Sequence, residues 1–399
     1  MHMPSQRVYR EMRAEEVSLW VVPANGGEEL AFLIKAPTSA IKALLAGCRL
    51  DLLFGRHGTY LCAGARIHDM PDAPMLISSV QREQEEHGAL KRLLREQKTP
   101  VFLFNEMDAC LAWTNMEISE SDASEVAKIV NDEPALYVGP FTKDCSHALD
   151  CFCYSNDPSQ RYPGATKIPL IDIQSMLEAW RVNHVSYMGV RTHQTITIDD
   201  LNEGEMFERA VWASLESVFP LTLHKSPQVQ IGEKVRELTD VLSFYQYGSF
   251  LIEAKDLSVL QAGYGRSQDR RTNGVQKQVR KAIAQLVGAA KALLRGDRIM
   301  DEGAKELDVV RDQRPHCIVL ISELMHTGDW SDVENQLRKA TLTTQAFFHL
   351  IDLREFITLL KGSSGKAELL DFNLMQRAKI FAETGSVHIR SRVGPTDSA

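Results

Sequence analysis

Three charged side chains lie within or beside two apolar runs of this sequence, in the stretch RELTDVLSFYQYGSFLIEAKDLS at residues 236–258. Asp240 lies in the first apolar run, and Glu253 and Lys255 lie in the second. Because side chains alternate across a strand, Glu253 and Lys255 share one face of the second run. Two carboxylates held close together suit Mg²⁺ or Mn²⁺, and a neighbouring lysine can hold a water or stabilise charge on a phosphate. These residues therefore predict metal-assisted hydrolysis of phosphodiesters.

The two apolar runs, VRELTDVLSFY and SFLIEAKDL, are predicted to be two strands of an antiparallel hairpin. If Asp240 lies opposite Glu253, the numbers of paired residues sum to 493, and the turn falls at residues 246–247. The residues there are Gln and Tyr, followed by Gly248, and they are compatible with a turn. The predicted register therefore brings both carboxylates to one place.

The spacing of these residues resembles that of a known nuclease superfamily. Asp240, followed thirteen residues later by Glu253-Ala254-Lys255, resembles the D...(E)xK signature of the PD-(D/E)XK superfamily. Residues 204–208, GEMFE, are similar to the GxxFE opening of its resolvase-like and Mrr-like branches. One departure is Thr239, which stands where the signature often has proline. The resemblance covers roughly residues 200–325, and the first 195 residues resemble no family that we recognise.

The resemblance implies a fold and a set of catalytic residues. It implies a restriction-endonuclease-like α/β domain, in which helices flank a central mixed sheet, preceded here by an N-terminal α+β domain. Asp240, Glu253 and Glu208 are the implied ligands of Mg²⁺, with Mn²⁺ as a substitute, and Lys255 is implied to position the attacking water. Bound metal would lower the pKa of that water and neutralise the scissile phosphate. The family often has Gln or Lys on the next helix, which implies a role for Gln285 or Lys281, with Gln278 as a weaker alternative.

A basic segment follows the second strand. Residues 264–300 have nine basic and two acidic side chains, a net charge of +7 in a chain whose net charge is −8. Part of this segment, GYGRSQDRRTNG, is predicted to be a loop, and GVQKQVRKAIAQLVGAAKALLRG (274–296) is predicted to be a helix. Basic side chains next to a metal site favour binding of a phosphate backbone. The predicted nucleic-acid-binding residues are Arg266, Arg270, Arg271, Lys277, Arg280 and Lys281.

The length of 399 residues and the change of pattern after residue 195 predict two domains. The first, 1–195, combines strands such as ELAFLIKA and PVFLFN with helices at 81–97 and 121–132, the latter capped by Ser121 or Asp122. It is expected to act in sensing or assembly. The nuclease domain is predicted over 196–391, with an amphipathic helix at 203–219 and a buried strand at 316–322, and a flexible tail over 392–399.

Other patterns limit the cofactors and the location. No apolar run is long enough to cross a bilayer and the first residues lack a signal peptide, so a cytoplasmic protein with no membrane partner is expected. KGSSGK (361–366) lacks the spacing of a phosphate loop, so it is interpreted as a linker between helices, and no ATP site is expected. Four soft ligands are crowded into residues 145–153, a spacing that disfavours zinc: Cys145, His147, Cys151 and Cys153.

The sequence thus predicts a Mg²⁺-dependent nuclease, with an endonuclease acting on DNA favoured over RNA. By analogy at the level of the fold, it is expected to be an effector of bacterial defence against phage or plasmid DNA. A homo-oligomer is expected, because cutting both strands of a duplex takes two sites. The alternatives are a catalytically silent nucleic-acid-binding or scaffold protein on the same fold, or an RNase.

Overall fold

The computed structural model describes residues 4–160 and 162–391, so the predicted tail at 392–399 lies outside the described residues. The chain divides into two units, which we describe separately. The first comprises Met1–Asn183 with Gly263–Gly265, and the second comprises His184–Ala262 and Arg266–Ala399. The boundary predicted after residue 195 lies within a strand of the second unit, His193–Thr197.

The first unit contains two sheets and the helices that pack on them. Its strands are β1 Ser18–Ala24, β2 Glu29–Lys35, β3 Leu50–His57, β4 Tyr60–Ile67, β5 Met75–Gln81, β6 Lys98–Phe104, β7 Cys110–Glu117, β8 Leu170–Gln174, β9 Met176–Leu177 and β10 Arg181–Val182. Its helices are α1 Gln6–Ala14, α2 Thr38–Leu45, α3 Gln84–Glu96, α4 Glu120–Asn131 and α5 Lys143–Asn156. One sheet has the order β1-β2-β6-β7-β10, with β9 beside β7, and the other has the order β5-β4-β3-β8.

The predicted strands and helices of the first unit are confirmed, with differences at their ends. ELAFLIKA and PVFLFN form β2 and β6, and the two predicted helices are α3 and α4. Helix α4 is capped by Ser119 rather than by Ser121 or Asp122, because the Ser119 Oγ accepts a hydrogen bond from the Asp122 amide (3.1 Å). Helix α5 was not predicted, and it contains the four closely spaced cysteine and histidine residues.

The second unit contains a central sheet and smaller two- and three-stranded sheets. Its strands are β11 His184–Met188, β12 His193–Thr197, β13 Leu223–Lys225, β14 Gln228–Ile231, β15 Lys234–Glu237, β16 Val241–Tyr245, β17 Gly248–Lys255, β18 Arg298–Met300, β19 His316–Ile321 and β20 Phe347–Asp352. Its helices are α6 Glu203–Leu215, α7 Val259–Ala262, α8 Gln268–Arg295, α9 Ser331–Thr344, α10 Leu353–Ser363 and α11 Ala367–Thr384.

The central sheet is mixed and lies between helices, so the unit is an α/β structure. Its strand order is β13-β16-β17-β19-β20. Strands β13, β16 and β17 pair antiparallel, whereas β17, β19 and β20 pair parallel. Helices α8 and α9 and the odd-numbered residues of β19 share one apolar core, and α6 and α10 also pack on the sheet. Every residue of β19 is buried, as the continuous apolar run predicted.

The β16–β17 hairpin has the predicted register, but the first predicted strand is broken. Val241 pairs with Ile252 and Leu242 with Leu251, so paired numbers do sum to 493. VRELTDVLSFY is not one strand, however: β15 ends at Glu237 and pairs with β14 in another sheet. The pairing partner changes there: the Leu238 amide donates to the carbonyl of Pro227 (2.7 Å), one step further along the β14–β15 register, whereas the Ser226 amide donates to the carbonyl of Asp240 (2.9 Å), one step beyond the β13–β16 pairs.

The basic segment contains more helix than predicted. Helix α8 begins at Gln268, so Arg270 and Arg271 lie on the helix and not in a loop. The apolar stripe of α8, which includes Val279, Ile283 and Leu286, is buried as predicted. Helix α6 ends at Leu215, earlier than the predicted residue 219. Of the linker predicted at 361–366, the first three residues belong to α10, which ends at Ser363, and only 364–366 join α10 to α11. Among the described residues, no helix combines the length and apolarity needed to cross a membrane.

Candidate functional site

The break between β15 and β16 fixes the position of Asp240. Thr239 donates its hydroxyl to the carbonyl of Ile252 on β17 (2.7 Å). The Asp240 Oδ2 accepts a hydrogen bond from the backbone amide of Ala254 (2.7 Å). These two bonds span the hairpin on either side of Glu253, so the Asp240 carboxylate is held beside the end of β17. Asp240 thus occupies the place that the hairpin register predicted for it.

The Lys255 ammonium lies between the two carboxylates. Its Nζ is 3.1 Å from the Asp240 Oδ2 and 2.9 Å from the Glu253 Oε2. The side chains of Asp240, Glu253 and Lys255 are 14%, 2% and 21% exposed, so one cation and two anions share a largely desolvated position. The structure therefore brings together three of the residues that the sequence singled out.

The charges at this position are unbalanced. Burial, and next the negative charge of Asp240, raise the pKa of Glu253 to about 7. Burial alone would lower the pKa of Lys255, but the charges of Asp240 and Glu253 outweigh it and raise that pKa. A single ammonium thus neutralises only one of two carboxylates. The second negative charge is available to a further cation.

Glu208 lies apart from this group. It is half-buried on α6, and burial followed by the charge of Asp240 raises its pKa, which places the two carboxylates within electrostatic reach. The Lys225 Nζ lies 4.0 Å from the Glu208 Oε2. Among the described residues, Glu208, Asp240 and Glu253 do not form a set whose ligand atoms all converge on one point. Glu208 would have to move to complete a three-carboxylate site.

A cavity of about 450 Å³ opens beside the carboxylates. Asp240 and Glu253 line one wall, and Gln285, on the exposed side of α8, lines another. Gln285 is therefore brought to the site as predicted. Two residues that the sequence did not single out also line the cavity, Arg236 and Glu237. The charged pair Arg-Glu directly before the break in the strand was the only sequence signal for them.

The predicted nucleic-acid-binding residues differ in solvent exposure and in whether they pair with a carboxylate of the protein. Arg266, Arg270, Lys277 and Lys281 are exposed. The Arg271 side chain is only 8% exposed, and its guanidinium is paired with the Glu323 carboxylate (2.9 Å). Arg271 is therefore not available to bind nucleic acid, contrary to the prediction. Arg280 makes an exposed ion pair with Asp332 (3.1 Å).

Three of the exposed bases form a row along α8 that leads to the cavity. At 100° per residue, Arg270, Lys277, Lys281 and Gln285 lie within roughly 80° of one another around the helix axis. From Arg270 to Gln285 the row is roughly 22 Å long. We call Arg270, Lys277 and Lys281 the basic row. A negatively charged backbone that follows this row would reach the cavity at Gln285.

The raised pKa of Glu253 predicts a pH dependence of stability in the absence of metal. Because the folded state holds this proton more tightly than the unfolded state, its contribution to stability is complete below about pH 4.5 and is lost as pH rises through about 7. We expect Glu253→Gln to remove this loss, an effect on the order of 2 kcal/mol between pH 5 and 8. Urea unfolding in EDTA, with the exposed Glu383→Gln variant as control, measures the difference. Parallel pH profiles for wild type and Glu253→Gln would contradict the prediction.

Comparison with known proteins assigns neither a family nor a function to this chain. No protein-family model, no curated protein and no solved structure matches this chain. The function is therefore argued from the side chains of the site and their surroundings.

Proposed function

We propose that the second unit is a metal-dependent nuclease with a restriction-endonuclease-like fold, which hydrolyses phosphodiester bonds of nucleic acid, with DNA favoured over RNA. The observation that carries the proposal is the convergence of Asp240, Glu253 and Lys255 at one end of a hairpin, beside a cavity. The mixed sheet, with helices α6 and α8 packed against it, supports the proposed fold.

The donor set fits a divalent cation. Two carboxylates face one position, and the raised pKa of Glu253 reflects burial and a negative charge that Lys255 does not fully offset. Oxygen ligands of this kind suit Mg²⁺, with Mn²⁺ as a substitute. Asp240 and Glu253 would hold the ion, and Glu208 is close enough to interact electrostatically with Asp240. When bound, such an ion lowers the pKa of a water and neutralises charge on the scissile phosphate.

The protein's own groups have separate roles in this proposal. The Lys255 ammonium, held by two carboxylates, orients the attacking water and stabilises negative charge on the phosphate. Gln285 can donate a hydrogen bond to the same water or to a phosphate oxygen. Arg236, in the cavity wall, presents a guanidinium that suits a phosphate. Burial beside β16 and β17 strengthens the interactions of the Lys255 ammonium, whose side chain is 21% exposed.

The basic row supplies the affinity that places a substrate. Replacing Lys277 and Lys281 together by serine is expected to weaken nucleic-acid binding at all sequences and to lower the slope of log K against log salt concentration by about 2. Fluorescence anisotropy with labelled duplex in EDTA measures both quantities. Lys339 and Lys379 are also exposed helix residues of the second unit, outside the cavity lining, so the Lys339→Ser/Lys379→Ser protein is the matched control. Equal slopes for wild type and the Lys277/Lys281 variant would contradict a role for the row.

Cleavage assays test the activity and define its substrate. Purified full-length protein is incubated with supercoiled plasmid, linear duplex, single-stranded DNA or RNA in Mg²⁺, Mn²⁺ or EDTA. Metal-dependent loss of one substrate supports the proposal that the protein is a nuclease and identifies its substrate class. Loss of RNA alone would identify an RNase. Cleavage that persists in EDTA contradicts the proposal. Binding without cleavage under every metal condition favours the silent scaffold instead.

We further propose that the protein acts as a homo-oligomer in defence against phage or plasmid DNA. Two sites are needed to cut both strands of a duplex, and a nuclease joined to a separate first unit resembles defence effectors. The defence role follows from analogy between folds. We also propose a cytoplasmic location. All seven cysteines of the protein lie within the described residues and are free thiols, as is usual in a reducing compartment.

A further inference from the structure

Two histidines and a cysteine meet in the first unit, far along the sequence from the residues of the nuclease proposal. His147 and Cys151 are four residues apart on α5, so they lie on one face of that helix. His57 is the last residue of β3, against which α5 packs. One ligand atom from each of the three residues lies within 4.8 Å of the other two. Among the described residues, this is the set of three cysteine, histidine or carboxylate side chains whose ligand atoms lie this close together.

The distances within this group resemble those between ligands of one tetrahedral ion. The Cys151 Sγ and the His147 Nε2 are 3.7 Å apart. Bond lengths to Zn²⁺ and a tetrahedral angle give a separation of roughly 3.6 Å between sulfur and nitrogen ligands. The rings of His57 and His147 have centroids 5.2 Å apart and planes at 87°. Two imidazoles on one tetrahedral ion would have centroids roughly 5 Å apart.

The Cys151 sulfur is surrounded by donors. The backbone amide of Thr166 donates to it (3.3 Å), and the Thr166 hydroxyl lies 3.7 Å away. Cys151 is fully buried, whereas His57 and His147 are partly exposed. The thiolate is the form of cysteine that binds metal, and the Thr166 amide can also donate to a metal-bound sulfur. The exposed side of the two imidazoles leaves room for a fourth ligand from solvent.

The other two cysteines of α5 are turned away from this group. The Cys153 sulfur lies 3.6 Å from the Ser78 hydroxyl, and Cys145 accepts a hydrogen bond from the Thr142 hydroxyl (3.5 Å). Cys153 is two residues from Cys151, and therefore roughly 200° around the helix from it. The sequence argument against zinc assumed that all ligands came from residues 145–153. It did not include His57, which is distant in sequence.

We propose that His57, His147 and Cys151 form a zinc site that joins β3 to α5. Two imidazoles and a thiolate suit a borderline-soft ion such as Zn²⁺ and not Mg²⁺. Three protein ligands leave the fourth position to a water, as in zinc sites that are not fully closed. Binding releases the thiol proton of Cys151 to solvent. The ion stabilises the first unit because its ligands come from a strand and a helix.

Cobalt substitution tests this proposal directly. Full-length protein is freed of metal with a chelator and titrated with Co²⁺, with Asp240→Asn as the background so that the second unit's carboxylates do not contribute. We expect one equivalent of Co²⁺ to give a thiolate-to-cobalt charge-transfer band and intense visible bands of tetrahedral geometry. Cys151→Ser should abolish the charge-transfer band. The matched control Cys153→Ser, a change on the same helix, should retain it.

His57→Ala keeps the proposal testable if Cys151→Ser fails to fold, because His57 is partly exposed at the end of its strand. The variant should retain the thiolate-to-cobalt band but bind Co²⁺ at least roughly 100-fold more weakly. Loss of a residue that only hydrogen-bonds to a metal ligand usually has a smaller effect. Zn²⁺ should displace Co²⁺ and raise the unfolding temperature of the Asp240→Asn protein. The proposal is overturned if that protein shows no charge-transfer band. It is also overturned if the band persists in Cys151→Ser.

Discussion

Lys255→Ala is expected to lower metal-dependent cleavage of nucleic acid by roughly 10²–10⁴-fold, the usual effect of removing a group that acts on the attacking water or on developing charge. The Lys255 Nζ is bonded to both carboxylates, at 3.1 and 2.9 Å, so its position is fixed before substrate arrives. Alanine leaves the carboxylates in place but removes the ammonium. The initial rate of substrate loss in Mg²⁺ measures the effect.

The same change should also destabilise the protein without metal, because Asp240 and Glu253 would then face each other without a cation between them. Circular dichroism and unfolding temperature are therefore measured beside the rate, with Lys339→Ala, an exposed lysine on α9, as the matched control. Added Mg²⁺ should restore part of the lost stability but not the activity. Full activity in a folded Lys255→Ala protein would contradict the role proposed for Lys255 in cleavage.

Asp240→Asn should abolish both metal binding and cleavage. Asparagine preserves the shape of the side chain, and its amide oxygen can still accept the hydrogen bond from the Ala254 amide that holds Asp240 (2.7 Å). The variant thus removes a charge with little change in structure. In wild type, Mn²⁺ at about 100 times its dissociation constant should stabilise the fold by about 2.7 kcal/mol. Unfolding measured with and without Mn²⁺ should show no such gain in Asp240→Asn.

The control for this experiment is Asp312→Asn, which removes an exposed carboxylate outside the cavity lining. Because the zinc site proposed in the first unit could also bind Mn²⁺ weakly, the comparison is repeated with His57→Ala. Stabilisation by Mn²⁺ that is unchanged in Asp240→Asn would place the ion elsewhere. No stabilisation in wild type would favour the silent scaffold over the nuclease.

The arrangement of the hairpin could be predicted because its signals are local. Alternation of apolar and charged residues fixes which side chains share a face, and the turn before Gly248 fixes the register, so the pairing of Val241 with Ile252 follows. The break before Asp240 could not be predicted in this way. It depends on β15 pairing with β14, and nothing in residues 234–245 alone indicates that partner.

Long-range contacts also explain the other differences. Gly, Asp, Thr and Asn near residue 270 are typical of a loop, but these residues include the start of helix α8. Arg271 lies on this helix and pairs with Glu323, which is distant in sequence. Helix α5 contains three Cys, two Ser and two Asp, which are not strong helix formers, so its helix propensity gave little signal. Its meeting with His57 depends on the packing of α5 on β3. Local sequence predicted the hairpin with Asp240, Glu253 and Lys255, but neither Arg236 in the cavity nor the cluster at His57.

The most direct test of the nuclease is a time course of nucleic-acid cleavage by wild type and by Lys255→Ala, at equal concentration, in Mg²⁺ and in EDTA. We expect a substrate to be lost only with wild-type protein and only with metal. Equal cleavage by both proteins would mean that the activity comes from a contaminant or from another site. It would contradict the assignment of Asp240, Glu253 and Lys255 as the catalytic centre.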